Sequence, residues 1–155
     1  MSRRPGRAAP SCSHTLWPPP TTPMSQPAAV AAGSLLNWAT EYLSRRAELH
    51  TARVAGERAV AIFEAAYGSD HAEVARPLGN LGIVLRQLGK LEAARAALER
   101  ALAIFEAAYG PDHPQVAVTL TNLGIVLREL GELDAAQASQ ERALAISEAA
   151  SPGDS

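Results

Sequence analysis

Two short strings hold the residues best suited to chemistry. Asp70-His71 and Asp112-His113 recur 42 positions apart, and a carboxylate beside an imidazole serves both metal sites and acid–base catalysts. Three asparagines, Asn37, Asn80 and Asn122, recur at nearly the same interval. A carboxamide can donate to a peptide carbonyl and accept from a peptide amide at once. Zinc would need three or four convergent ligands, whereas one repeat separates the two Asp-His pairs by roughly 10 Å, the spacing of packed helices. The pairs fit a helix start better. Asp70 or Asp112 would be the N-cap, with Glu73 or Gln115 at the third helical position, and the carboxylate charge suits a helix N-terminus. Catalysis finds no constellation. Gly79, Gly82 and Gly89 do not follow a strand, so no phosphate loop is present. His50, His71 and His113 with scattered serines are the nearest to a base–nucleophile set, and two of them belong to helix starts. The expectation is no enzyme, no cofactor and no metal.

The elements that position these residues follow from a repeat. ERAVAIFEAAYGSDH from Glu57 returns as ERALAIFEAAYGPDH from Glu99, and NLGIVLRQLGKLEAA from Asn80 returns from Asn122. A period in the 20–50 range marks stacked units that bury their apolar faces only against neighbours. Leu78, Leu81, Leu85 and Leu88 lie on one helix face, and Gly89 ends that helix. Ala94, Leu98, Ala101, Phe105 and Tyr109 form the face of a second helix. Two helices joined by a tight glycine turn make an antiparallel hairpin. Helices are predicted near 34–46, 49–67, 72–88, 91–109, 114–130 and 133–149. The first unit is degenerate. Leu35, Trp38, Ala39 and Tyr42 match the later first helices only if one residue is inserted at the turn.

Composition narrows the classes. The chain has 155 residues and a net charge of −2, from 14 basic and 16 acidic residues. No basic stripe can be built to neutralise phosphates, so no nucleic-acid partner is expected. Cys12 is the only cysteine, which excludes an internal disulfide. Arg3, Arg4 and Arg7 are not followed by an apolar segment of signal-peptide length. No run approaches the 18 apolar residues of a membrane span. A cytoplasmic location is the expectation. Residues 1 to 32 are rich in Pro, Ser, Thr, Ala and Arg, with Trp17 leading three prolines, and are expected to be a disordered tail. Met24 is a second candidate start. The repeat domain spans 33–150, in units of about 33–70, 71–112 and 113–150, and 151–155 is expected to be a disordered end.

These residues resemble tetratricopeptide repeats, in the 42-residue form found in kinesin light chains and many bacterial regulatory proteins. Leu78, Leu81, Gly82 and Leu85 match the first-helix pattern, as do Leu120, Leu123, Gly124 and Leu127. Ala94, Leu98 and Ala101 match the second-helix pattern of two small residues flanking a large one. The resemblance covers about three quarters of the chain. It implies an all-α fold, a right-handed α-solenoid of about three helix-turn-helix repeats and about six helices. Gly56 replaces the large second-helix residue of the first unit and is expected to weaken its packing, while in the third unit Gln140, Ser147 and Ser151 replace the counterparts of Leu98, Phe105 and Tyr109. The last three share one face, and polar residues there are expected to cap the array's end. Each exposed apolar side chain would otherwise forgo roughly 1.5–3 kcal/mol of burial.

The resemblance also implies a function. In such repeats the first helices line a concave groove that binds proteins or extended peptides, and related proteins use a groove asparagine to hold the ligand backbone. The groove stripe is Asn37, Thr40 and Ser44 in the first unit; Arg76, Asn80, Ile83 and Gln87 in the second; and Val118, Asn122, Ile125 and Glu129 in the third. Ile83 and Ile125 would offer apolar pockets, while Arg86 and Arg128 would meet acidic groups. The expected function is a non-enzymatic protein-binding scaffold. The alternatives are an assembly module that self-associates, with a homodimer through the Trp38/Tyr42 end, or a detached fragment of a larger signalling ATPase.

Overall fold

The computed structural model describes residues 25–151 and 153. Cys12, the Trp17 proline segment, Met24 and most of the 151–155 end lie outside the described residues. Among the described residues six helices follow one another: α1 Gln26–Arg45, α2 Leu49–Tyr67, α3 Ala72–Gln87, α4 Leu91–Tyr109, α5 Pro114–Glu129 and α6 Leu133–Ala150. They pair as α1/α2, α3/α4 and α5/α6 hairpins, and each hairpin packs its second helix on the first helix of the next. The backbones of neighbouring first helices also come close, whereas neighbouring second helices stand further apart and meet only through long side chains. The α-solenoid therefore bends with α1, α3 and α5 on its inner side. One apolar core runs through it, from Phe63 through Leu78, Leu98 and Phe105 to Leu120 and Ile146.

The first helix begins earlier than the sequence suggests. Gln26 to Ala32, expected to be disordered, form the first turns of α1. Ser25 caps them by accepting from the Ala28 amide at 3.4 Å, and Pro27 sits where its missing N–H costs nothing. Val30 packs against the core, and Gly33 approaches Phe63 so closely that a Cβ would lie 2.9 Å from its ring.

The hairpin turns correct the first unit's register. Gly89 and Gly131 adopt φ of +79° and +88°, and Ala47 takes the equivalent place at +62°. The amides of Lys90, Glu132 and Glu48 then donate back to Leu85, Leu127 and Leu43 at 2.8, 2.8 and 2.9 Å, the same helix-terminating bond in all three units. No residue is inserted. Leu36, Ala39 and Leu43, partly buried, take the inward positions. Leu35, Trp38 and Tyr42, the expected core face, are 68%, 60% and 45% exposed.

The same register explains Gly56. In the second hairpin a Cβ on Gly82 would lie 2.7 Å from Leu98 Cγ, so the glycine makes room for the leucine. In the first hairpin the sizes are exchanged: fully buried Thr40 replaces the small residue, and Gly56 replaces the large one. The Thr40 hydroxyl is satisfied by donating to the Leu36 carbonyl at 2.8 Å. In the third hairpin Gln140 faces Gly124 and donates to the Thr121 carbonyl at 3.3 Å. Gln140 is therefore a hairpin residue and not, like the exposed Ser147 and Ser151, part of the expected end cap.

The unit-to-unit links also depart from expectation. The N-caps of α3 and α5 are His71 and His113, not Asp70 and Asp112. Each imidazole Nδ1 accepts the amide two residues on, from Glu73 or Gln115, at 3.1 Å. The rings are aimed by stacking, with centroids 4.5 Å from Tyr67 and Tyr109, the last residues of the preceding helices.

Two outcomes check this packing in thermal unfolding followed by circular dichroism. Ala47→Gly is expected to stabilise by about 1 kcal/mol, since a Cβ at positive φ is strained; an unchanged or lower Tm contradicts the turn geometry. Gly56→Leu alone is expected to destabilise by about 1–3 kcal/mol through overpacking. Adding Thr40→Gly should recover most of that loss, and additive losses would sink the size exchange.

Candidate functional site

The inner face is built from α1, α3 and α5, and three cross-unit contacts set its geometry. Asn80 Nδ2 donates to Asn37 Oδ1 at 2.8 Å and to Glu41 Oε1 at 3.0 Å. The Ser44 hydroxyl donates to Gln87 Oε1 at 2.6 Å. Arg86 donates to Glu129 at 3.0 Å, with side chains 30% and 40% exposed. The Asn37–Asn80, Ser44–Gln87 and Arg86–Glu129 partners are all 43 residues apart. That is one more than the repeat period, because side chains meeting across the seam come from the facing edges of two parallel helices.

This offset separates the three asparagines. Asn37 is the register equivalent of Gly79, not of Asn80. It lies in the seam opposite Asn80 and occupies one of that side chain's protons, while Glu41 occupies the other. One unit on, the position opposite Asn122 is Gly79, where a Cβ would meet nothing within 4 Å. Among the described residues the Asn122 carboxamide has no hydrogen-bond partner, and the seam beside it is open. Arg86 is engaged by a carboxylate of its own chain, whereas Arg128 is exposed and has no ion-pair partner among the described residues.

Two hollows flank the seam between α1 and α3. One, of about 350 Å³, is lined by Thr40, Glu41, Asn80, Ile83 and Gln87. The other, of about 220 Å³, is lined by Asn37, Trp38, Phe63 and Arg76. The expected stripe is thus brought onto one face, with Arg76 at its rim near the start of α3. Ile83 and Ile125 are both partly buried. Glu41 was not singled out from the sequence. Its signal is the spacing Asn37, Glu41, which places both on one helix edge. On the outer side, the Arg95 guanidinium of α4 has its pKa raised chiefly by its hydrogen bonds to Glu99 and Glu132. Among the described residues no three metal-ligating side chains cluster, and no helix is long and apolar enough to cross a membrane.

A family model for the tetratricopeptide repeat matches residues 32–107 and again 78–149. The chain belongs to the tetratricopeptide repeat family. A solved structure, BtubC (BKLC) from P. vanneervenii, is similar at 27% identity and a TM-score of 0.70. The likeness covers 79% of this chain and 49% of that one, so the chain spans about half the length of this relative. No curated protein matches. The tetratricopeptide repeat generally mediates protein–protein interaction, and members of the family are typically non-catalytic scaffolds.

The Arg86–Glu129 contact sets a measurable expectation. A double-mutant cycle of Arg86→Ala and Glu129→Ala, read by urea unfolding, should give a coupling of about 0.2–1 kcal/mol that fades at high salt. A coupling indistinguishable from zero at low salt would mean that Arg86 is free to meet a ligand.

Proposed function

We propose that the chain is a non-enzymatic scaffold that binds an extended peptide segment along the seam between α3 and α5. The observation that carries this reading is Asn122, whose carboxamide has no hydrogen-bond partner among the described residues and lies beside the open space at Gly79. An extended peptide presents alternating carbonyls and amides, and one carboxamide satisfies one of each. Ile125 lies one helical turn along the same face, where a small apolar side chain of the ligand would rest. Arg128 follows, free to meet a carboxylate. Asn80, Gln87 and Arg86 are less available because their neighbours on the inner face already engage them. Asn37, Arg76, Ile83 and Glu129 then shape the rim and the adjoining hollows more than they recognise the ligand. The groove is short, and micromolar affinity is expected of the limited area it would bury.

The test begins with acidic extended peptides selected from a random display library against the full chain. Asn122→Ala should weaken binding at least tenfold by calorimetry, a loss of about 1.4 kcal/mol, and Arg128→Ala should do so for the acidic peptides alone. Asn80→Ala should cost less than either. All three variants should keep the helical circular dichroism spectrum. Equal losses at Asn80 and Asn122 would refute the distinction between them, and unchanged binding in Asn122→Ala would refute the reading.

A further inference from the structure

The two ends of the array carry the two halves of its internal joint. On the outer side, Arg100 of α4 reaches back to Glu64 of α2 at 2.6 Å and donates to the Ser69 carbonyl at 2.8 Å. One unit on, Arg142 of α6 does the same to Glu106 at 2.7 Å and to the Pro111 carbonyl at 3.2 Å. The arginine of this series on α2 is Arg58, and the glutamate of this series on α6 is Glu148. Both are exposed, and neither has an ion-pair partner among the described residues.

The apolar surface divides in the same way. Leu35 and Tyr42 hold the register positions of Pro77 and Val84, which the preceding unit buries almost completely. Leu144 of α6 holds the position of Val60; it is 59% exposed where Val60 is 8%. The sizes are complementary too. The α6 end has Ser147 and Ser151 where the internal joints have Phe105 and Tyr109, and this leaves a hollow of about 270 Å³ lined by Ala117, Val118, Ser147 and Ala150. The α1 end has Leu35 and Tyr42 where the internal joints have Thr119 and Val126.

We infer that a second copy of this chain stacks head to tail on the first, its α1 against α6, with Arg58 of one copy on Glu148 of the other. The contact continues the unit-to-unit interface already present twice in the chain. Because it joins two different surfaces it does not close, and it builds an open row of copies, unlike a symmetric pair. One feature opposes it. The same register sets Arg128 opposite Arg45, where the internal joint has Arg86 on Glu129. Like charges at this point hold the association weak.

Sedimentation equilibrium of the full chain over a concentration series tests the inference. The mass should rise past that of a dimer without a plateau. Arg45→Glu should shift the series about tenfold toward lower concentration. Glu148→Arg should suppress association, and combining it with Arg58→Glu should restore it; all these positions are exposed, so folding is not at risk. A constant monomer mass for both the native chain and Arg45→Glu overturns the inference. So does a plateau at dimer that Glu148→Arg leaves unchanged, which is the signature of pairing through Trp38 and Tyr42.

Discussion

Everything in this array depends on how closely two helices approach within a hairpin. Gly82 admits the Leu98 side chain into the space its own Cβ would fill, and Leu98 is 1% exposed as a result. Close approach sets the tilt of each hairpin, and the tilt sets the surface it offers its neighbour. The requirement is for one small and one large partner, in either order. Thr40 with Gly56 meets it in reverse, and Gln140 against Gly124 meets it with a polar side chain whose amide finds the Thr121 carbonyl. Interiors packed to near-crystal density tolerate such exchanges when the summed volume is kept.

The hairpins are then joined by devices that leave little freedom. Tyr67 and Tyr109 end one helix while stacked on the histidine that starts the next. Arg100 and Arg142 fasten the outer side of the same joints, and the inner side is fastened by Asn37–Asn80 and Arg86–Glu129. Surface pairs of this kind contribute little singly. Their value is in fixing the register of parallel inner helices, and that register decides which polar side chains are used internally and which stay free.

Much of this was legible in the residues. The period gave the hairpins, and the bounds predicted for the last five helices lie within one residue of those observed. The first helix was less legible because two signals competed. Leu35, Trp38 and Tyr42 are larger than Leu36, Ala39 and Leu43, so size favoured the wrong face; the turn at Ala47 decides the matter, and alanine gives no hint of a positive φ. The start of α1 was hidden because Ser25, Pro27 and the alanines share the composition of the preceding tail. The caps are hidden in the sequence for a subtler reason. Asp is the better intrinsic N-cap, but a tyrosine positioned to stack on the next ring hands the role to histidine. The site was legible as a stripe and not as a set of partners, because a one-residue offset between neighbouring helices is a property of packing and not of any single repeat.

Gly79 is a vacancy in a crowded seam, and its emptiness has a consequence for how such arrays diversify. Helix interiors disfavour glycine by about 1 kcal/mol relative to alanine, so the position bears a cost without packing against anything. A Cβ there would meet nothing, yet a longer polar side chain would decide whether the facing carboxamide is occupied or idle. When units multiply by copying, the packed positions must be inherited together, but this one can vary alone. Ligand preference can therefore wander from copy to copy over an unchanged frame.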